Sequence, residues 1–499
     1  MTAADTDQVP QQPGLLARSY ASAQLVWKLK HYIPTVATTA FRYYTTRDFH
    51  ESWPLGVACF VALARYSSES ARAQRALNPD RPIDVVRETQ NNRKRIEAMI
   101  VGAPPKNGAI DEVAFTVHPR QLGGVLEDAD RTETGERQVK AEWSVHGSLL
   151  SENAAQTEKV LLYLHGGAYC LLSPKTHRPL CMQLSKALNC RVFSVDYRLS
   201  PETKFPGALH DAVSAYFHLT RDLGIPASNI YVGGDSAGGN LAVALLLYLR
   251  DSDLPRLAGG VLLSPWVDFT SSFESWDLNA SSDYIAIDRD DPLVPMPLFA
   301  RSDQDLVHPY VSPSIVGSLE GLPPLIVLAG GSETLRDEIT MLVHRAAADG
   351  VEVRHEVYEG GVHVFVAVME RGMGKKAIEN IATWASNLNS TSQSTIDAIE
   401  NRTEWDRIGD RLKADYTVKQ EKDTKTTRSN PARPESERFV YEEMVEDAPR
   451  VKLRDQAHPE ARKALEELSK NPPRSGITTI VRTRKNPEYN GGILGRLHL

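Results

Sequence analysis

From about residue 142 to 389, short apolar runs alternate with longer stretches whose apolar residues recur at helical spacing. That alternation predicts a mostly parallel sheet joined by crossover helices. Residues 159–164 (Lys-Val-Leu-Leu-Tyr-Leu) are almost continuously apolar, as expected of a strand covered on both faces, and stop at His165-Gly166-Gly167. The runs 191–195, 230–234, 260–263 and 325–329 read as further core strands. Residues 353–358 alternate like a strand and lead into Glu359-Gly360-Gly361-Val362-His363. Between them, Leu209, Val213, Tyr216 and Leu219 share one face of a helix predicted over 208–222. The segment 241–249 is apolar all round and predicts a buried helix.

The flanks read differently. Residues 1–14 are polar and predict a disordered start, and 15–102 show an interrupted helical pattern with turn chemistry at Asn78-Pro79-Asp80-Arg81-Pro82. Beyond Ser390 the chain turns polar; roughly half of 401–450 is charged with few aliphatics, which predicts no stable core. One short helix, 459–469, is expected to interrupt that tail. The chain therefore divides into a disordered N-terminus (1–14), N-terminal helices with an entry segment (15–141), an α/β domain (142–389) with an insertion at about 270–308, and a charged, largely disordered tail (390–499). The tail is expected to be removable without loss of function, because it lacks apolar content to pack.

With 499 residues, 41% of them hydrophobic, the chain can bury at least one large core. A net charge of −7, from 57 basic and 64 acidic side chains, argues against a nucleic-acid partner. Cys59, Cys170, Cys181 and Cys190 are too few and too irregular for a disulfide framework or a zinc knuckle, so they read as buried reduced thiols. The polar, acidic first residues do not form a secretory leader, and the longest apolar run, 55–64, is about half the length of a membrane span. The segment 15–44 mixes Leu25, Trp27, Ile33 and Phe41 with Lys28, Lys30 and Arg42. Such a composition suits a bilayer surface as well as an ordinary packed helix. The chain thus reads as intracellular, either cytoplasmic or in peripheral membrane contact through its N-terminal helices.

The strongest chemical signal is Gly234-Asp235-Ser236-Ala237-Gly238, placed between a predicted strand and a predicted helix. A serine at the tip of so sharp a turn has a crowded backbone that favours glycine two residues to either side, and the helix beginning there aims its first amides at developing negative charge. An earlier strand ends in His165-Gly166-Gly167-Ala168-Tyr169, a loop able to aim further N–H groups at an oxyanion. The plain alternative for either motif is a glycine-rich turn without chemistry.

Together these motifs resemble the hormone-sensitive-lipase branch of the α/β hydrolases, with its bacterial esterases and arylacetamide-deacetylase-like enzymes. Further matches stand at Asp196-Tyr197-Arg198-Leu199-Ser200-Pro201-Glu202, Ser264-Pro265-Trp266 and Tyr310-Val311-Ser312-Pro313, so that the resemblance spans about 142–389. It implies an α/β-hydrolase fold with helices on both faces of the sheet. It also implies an oxyanion hole drawn from Gly166, Gly167 or Ala168 plus the amide of Ala237. Ala168 stands where the family usually has a third glycine; its N–H survives the change. The base should come last in chain order, and Gly361-Val362-His363-Val364-Phe365 looks like the catalytic-histidine loop of the family. Imidazole can take the Ser236 proton and return it to a leaving alcohol. His355, on the strand before, reads as structural. For the acid, the family generally has aspartate where this chain has Glu333; Asp337, four residues on, is the alternative. Either would orient His363 and stabilise its imidazolium.

The implied function is a serine hydrolase that cuts a small-molecule carboxylic ester by way of an acyl-enzyme on Ser236. The N-terminal helices and the 270–308 insertion would form a cap, and its aromatic content favours a lipophilic ester. Three rivals stand beside that reading: an amidase or formamidase on the same triad, a receptor with a dead hydrolase pocket, and a protein whose tail is the working part. No cofactor or metal is expected. The glycines of 233–239 lack dinucleotide and P-loop spacing, and no cluster has zinc-ligand spacing.

Overall fold

The computed structural model describes residues 32–77, 82–101, 104–150, 158–285, 291–391, 401–424, 439–446, 451–473 and 477–485. The N-terminus 1–14 and the first part of the 15–44 segment lie outside them. The chain forms two compact units, Met1–Leu77 and Asn78–Leu499. In the first, helices Ile33–Thr45 and Leu55–Ala76 pack on each other, and the Tyr43 hydroxyl donates to the Trp53 carbonyl at 2.7 Å. Ile33, Phe41 and Tyr44 are exposed on the first helix. No helix among the described residues is long and apolar enough to cross a membrane.

The second unit is built on a ten-stranded sheet: β1 Gly108–Thr116, β2 Gln138–His146, β3 Val160–Leu164, β4 Arg191–Val195, β5 Ile230–Asp235, β6 Gly259–Leu263, β7 Leu325–Gly330, β8 Val353–Tyr358, β9 Phe439–Glu446 and β10 Thr478–Lys485. Their order across the sheet is β1-β2-β4-β3-β5-β6-β7-β8-β10-β9. From β4 to β10 every neighbouring pair is parallel, whereas β1–β2, β2–β4 and β9–β10 are antiparallel. The central strands β3, β5, β6 and β7 are buried along their whole length, which is why they read as unbroken apolar runs. Helix Ala237–Asp251 packs on β3, β5 and β6 and against helix Gly207–Phe217; helix Pro174–Leu188 packs on β2, β3 and β4 and against Met373–Thr391.

The sheet is wider than its apolar pattern. It begins at β1, so the expected domain start at 142 falls inside β2. Both strands carry acidic side chains that hide them: Glu142 is buried and accepts from Arg178 at 2.6 and 2.8 Å, while Arg178 also bonds Glu112 of β1 at 2.6 Å.

The tail needs a larger correction. Its described parts are packed, not disordered. Helix Arg402–Thr424 lays Trp405, Ile408 and Leu412 into the main core, at a spacing that puts all three on one face. The Trp405 ring meets Trp143 edge-on at 5.9 Å and the Arg191 guanidinium lies 3.7 Å from its centre. Helix Pro459–Lys470 buries Ala461, Ala464 and Leu468 against Phe273, Ile315 and Met341, and β10 pairs with β8. A high average charge concealed these one-sided stripes. Trp405→Ala is accordingly expected to cost about 3–5 kcal/mol of unfolding free energy, read from the urea midpoint. Truncation after Thr391 should leave a protein that does not fold. A stable, active truncated chain would show that the tail packing is dispensable.

Candidate active site

β3 has β4 on one side and β5 on the other, so successive crossovers leave it in opposite directions. The crevice at the carboxyl ends of such strands is where open α/β sheets bind ligands. Both glycine motifs sit there, one after β3 and one after β5.

Ser236 occupies the turn between β5 and helix Ala237–Asp251 with φ 52° and ψ −121°, a strained conformation for a residue with a side chain. The turn closes so tightly that a Cβ on Gly234 would strike the Gly238 carbonyl, and one on Gly238 the Leu164 carbonyl. The strain is held by neighbours: Ser236 N–H donates to Leu263 O at 3.0 Å, and Trp266 N–H donates to Ser236 O at 2.9 Å.

The loop after β3 is tied to this elbow through Asp235, whose carboxylate accepts from the Tyr163 hydroxyl at 2.6 Å, the Gly166 amide at 3.0 Å and His177 at 3.2 Å. Burial opposes its charge, but His177 and Tyr163 outweigh it and hold the carboxyl down at about 2. Gly166 therefore cannot serve as an oxyanion donor as expected, because its N–H is already spent on Asp235. The amides of Gly167, Ala168 and Ala237 donate to nothing among the described residues. Ala168 and Tyr169, at φ 53° and 59°, turn the loop back, and the Tyr169 hydroxyl locks it by donating to Asn240 at 2.7 Å.

His363 and Glu333 come from the loops after β8 and β7. The His363 Nδ1 lies 3.1 Å from Glu333 Oε2, and Glu333 Oε1 accepts from the Gly330 amide at 3.1 Å. Both side chains are buried. Burial opposes a charged imidazole, yet the Glu333 carboxylate, helped by Asp283 and Asp235, holds His363 above its ordinary value; burial likewise lifts Glu333. Asp337 faces elsewhere: it pairs with Arg336 at 2.8 Å and accepts from the Ser275 amide at 3.2 Å. His355 is buried in β8 beside Thr478 at 3.1 Å, and burial lowers it to about 3.

Two residues here escaped the sequence reading. Asp235 stood in the motif without a visible task. Asp283, in the insertion, accepts from the His363 amide at 3.1 Å and from the Thr334 amide at 2.9 Å. A lone aspartate in Ser-Ser-Asp-Tyr carries no pattern that would have marked it. A cavity of about 640 Å³ also borders the insertion, lined by Phe269, Val294, Met296, Leu306, Lys204 and the tail residue His458, among others, but not by Ser236, Glu333 or His363.

The chain is similar to known proteins. A family model described as the alpha/beta hydrolase fold matches residues 161–367. An acetyl-hydrolase of Streptomyces hygroscopicus is 39% identical over 212 residues, covering 42% of this chain and 70% of that protein. An esterase of Acinetobacter venetianus is 32% identical, covering 49% of this chain and 80% of that one. Among solved structures, an esterase from the bacterial hormone-sensitive lipase family is 33% identical with a TM-score of 0.52, covering 68% of this chain and 99% of its own. The elbow after β5, the glycine loop after β3 and these relatives place the chain in the α/β-hydrolase family, among the hormone-sensitive-lipase-like carboxylic ester hydrolases.

Proposed function

We propose that Ser236, His363 and Glu333 are the catalytic triad of a serine esterase that cleaves a lipophilic carboxylic ester. The observation that carries this reading is the buried His363–Glu333 hydrogen bond beside the strained Ser236 elbow. With the Nδ1 proton donated to Glu333, Nε2 is left with its lone pair and can take the Ser236 proton as Oγ attacks the ester carbonyl. The tetrahedral oxyanion would be met by the amides of Gly167 and Ala168 in the glycine loop and of Ala237 at the start of helix Ala237–Asp251, none of which donates elsewhere among the described residues. His363 then returns its proton to the departing alcohol, and water cleaves the acyl-enzyme by the same steps in reverse roles.

The insertion supports the lipophilic part of the reading. Tyr284 lies 5.8 Å from the His363 ring, Phe299 stacks on Tyr169 at 4.0 Å, and Phe269 stacks on Trp266 at 3.8 Å. Of these rings, Tyr284 comes from the insertion beside His363 and Phe299 from the insertion against Tyr169 of the glycine loop. Beside the glycine loop, helix Val85–Ile100 is pinned by Arg93, which donates to the Cys170 and Ser200 carbonyls at 3.0 and 3.1 Å. These two pieces are the proposed cap.

The test is a series of p-nitrophenyl esters of rising acyl length, with a p-nitroanilide for comparison, assayed across pH. Esters should be turned over and the anilide should not. kcat/KM should rise with pH through a single group titrating above 6.5, since His363 acts only when neutral and its carboxylate neighbours favour the charged form. Preferential anilide cleavage, or an acid limb centred clearly below that value, would count against the reading.

A further inference from the structure

Asp283 is fully buried, 80 residues from His363 and 51 from Thr334 in sequence, yet bonded to both. Its Oδ1 accepts from the His363 amide at 3.1 Å and the Tyr284 amide at 2.8 Å. Its Oδ2 accepts from the Thr334 amide at 2.9 Å and the Thr334 hydroxyl at 3.2 Å. Thr334 directly follows Glu333, so a single carboxylate grips the backbone of the base and the backbone next to the acid. Other insertion side chains hold the acid loop alone: Asn279 donates to Glu333 O at 2.7 Å and Ser282 to Ser332 O at 3.0 Å. Of these, Asp283 alone also reaches His363.

The choice of a charged group needs a reason. A second buried carboxylate beside Glu333 is costly, because like charges in a poorly solvated site repel and burial penalises each. A neutral amide of the same shape would turn its NH2 toward one pair of these donors, so only a carboxylate can accept at both oxygens and brace both loops. The charge is useful when the imidazole becomes imidazolium, as it must each time Ser236 gives up its proton. Among the described residues, the charges facing His363 are those of Glu333, Asp283 and Asp235; the adjoining Tyr284 phenol is held well above its ordinary range by burial and stays neutral.

We propose that Asp283 is a positioning residue of the triad, which fixes the Glu333 and His363 loops against each other, adds a second negative charge behind the imidazole, and so makes triad alignment depend on the seating of the insertion. The inference rests on the triad reading above. The experiment is Asp283→Asn, assayed for kcat, KM and the acid limb of kcat/KM, with Ser236→Ala alongside. Asparagine keeps the size but turns an NH2 toward one set of donors. kcat should fall about 10- to 100-fold with KM changed less than about twofold, as expected for misplaced catalytic groups. The acid limb should also move down by roughly half a pH unit, because a negative charge near the imidazole is gone. Wild-type turnover overturns the proposal. So does a fall in kcat with an unmoved acid limb, since that is what a merely structural brace would give. Should Asp283→Asn not fold, Thr334→Val removes one donor to Asp283 without changing any charge; it should lower kcat roughly three- to tenfold, and unchanged turnover there also overturns the proposal. If Ser236→Ala stays active, the triad reading has failed; if it is dead while Asp283→Asn behaves as wild type, only the role of Asp283 has.

Discussion

Ser236→Ala is expected to reduce kcat by about five to six orders of magnitude, leaving only the acceleration that binding and the oxyanion amides supply. The size follows from the geometry. Ser236 stands at the tip of the elbow, and its N–H donates to the carbonyl of Leu263, the residue before the Ser264 that holds the histidine loop. Ser264, at the end of β6, is a rival hydroxyl, but its Oγ accepts from the Val364 amide at 3.1 Å and bonds Glu333. It is a brace for the histidine loop rather than a free nucleophile. Treatment with an organophosphonate should therefore give a single adduct by intact mass, mapped to the peptide containing Ser236. An adduct on Ser264, or an alanine variant retaining more than about one part in a thousand of wild-type kcat, would overturn the mechanism.

How much of this was legible in the sequence depended on whether the determining contact was local. β3, β5, β6 and β7 could be read because burial on both faces makes every position apolar. β1 and β2 could not, since Glu112, Glu142 and Lys140 break the pattern and only the fold supplies Arg178 to neutralise two of them. β9 is likewise a charged strand, at the sheet edge, where such residues discourage pairing with other chains, and its neighbour β10 ends in Arg-Thr-Arg-Lys. Trp405, Ile408 and Leu412 were visible individually, but their partner surface on β1 and β2 lies some 300 residues away, as the Arg411–Asp111 and Asp415–Ile110 bonds show.

The site divides in the same way. Ser236 and His363 announce themselves through the residues on either side of them. Asp283 does not, because its meaning is a bond to a loop 80 residues on. Gly166 illustrates the opposite error. Its motif marks the glycine loop, yet which amide in that loop is left without an acceptor depends on Asp235 approaching from the next strand.

Glu333→Gln should keep the fold and lose about two to four orders of magnitude in kcat. The Gly330 amide donates to Oε1 at 3.1 Å, so a glutamine will keep its carbonyl oxygen there. Its NH2 must then face His363 Nδ1, which is 3.1 Å from Oε2 in the native site. Nδ1 becomes the acceptor and the ring proton moves to Nε2, the atom that has to receive the Ser236 proton. The variant thus loses the charge that stabilises the imidazolium and also selects the wrong tautomer. Stability should change little, because removing a fully buried carboxylate from beside Asp283 relieves repulsion while the Gly330 bond is kept. Asp337→Asn makes the opposite trade. It weakens the Arg336 pair and the Ser275 contact, so thermal stability should fall modestly while kcat stays within about threefold of wild type. Measuring kcat and Tm on both variants separates the two carboxylates. An active Glu333→Gln with an inactive, folded Asp337→Asn would move the acid to Asp337 and leave Ser236 and His363 where they are.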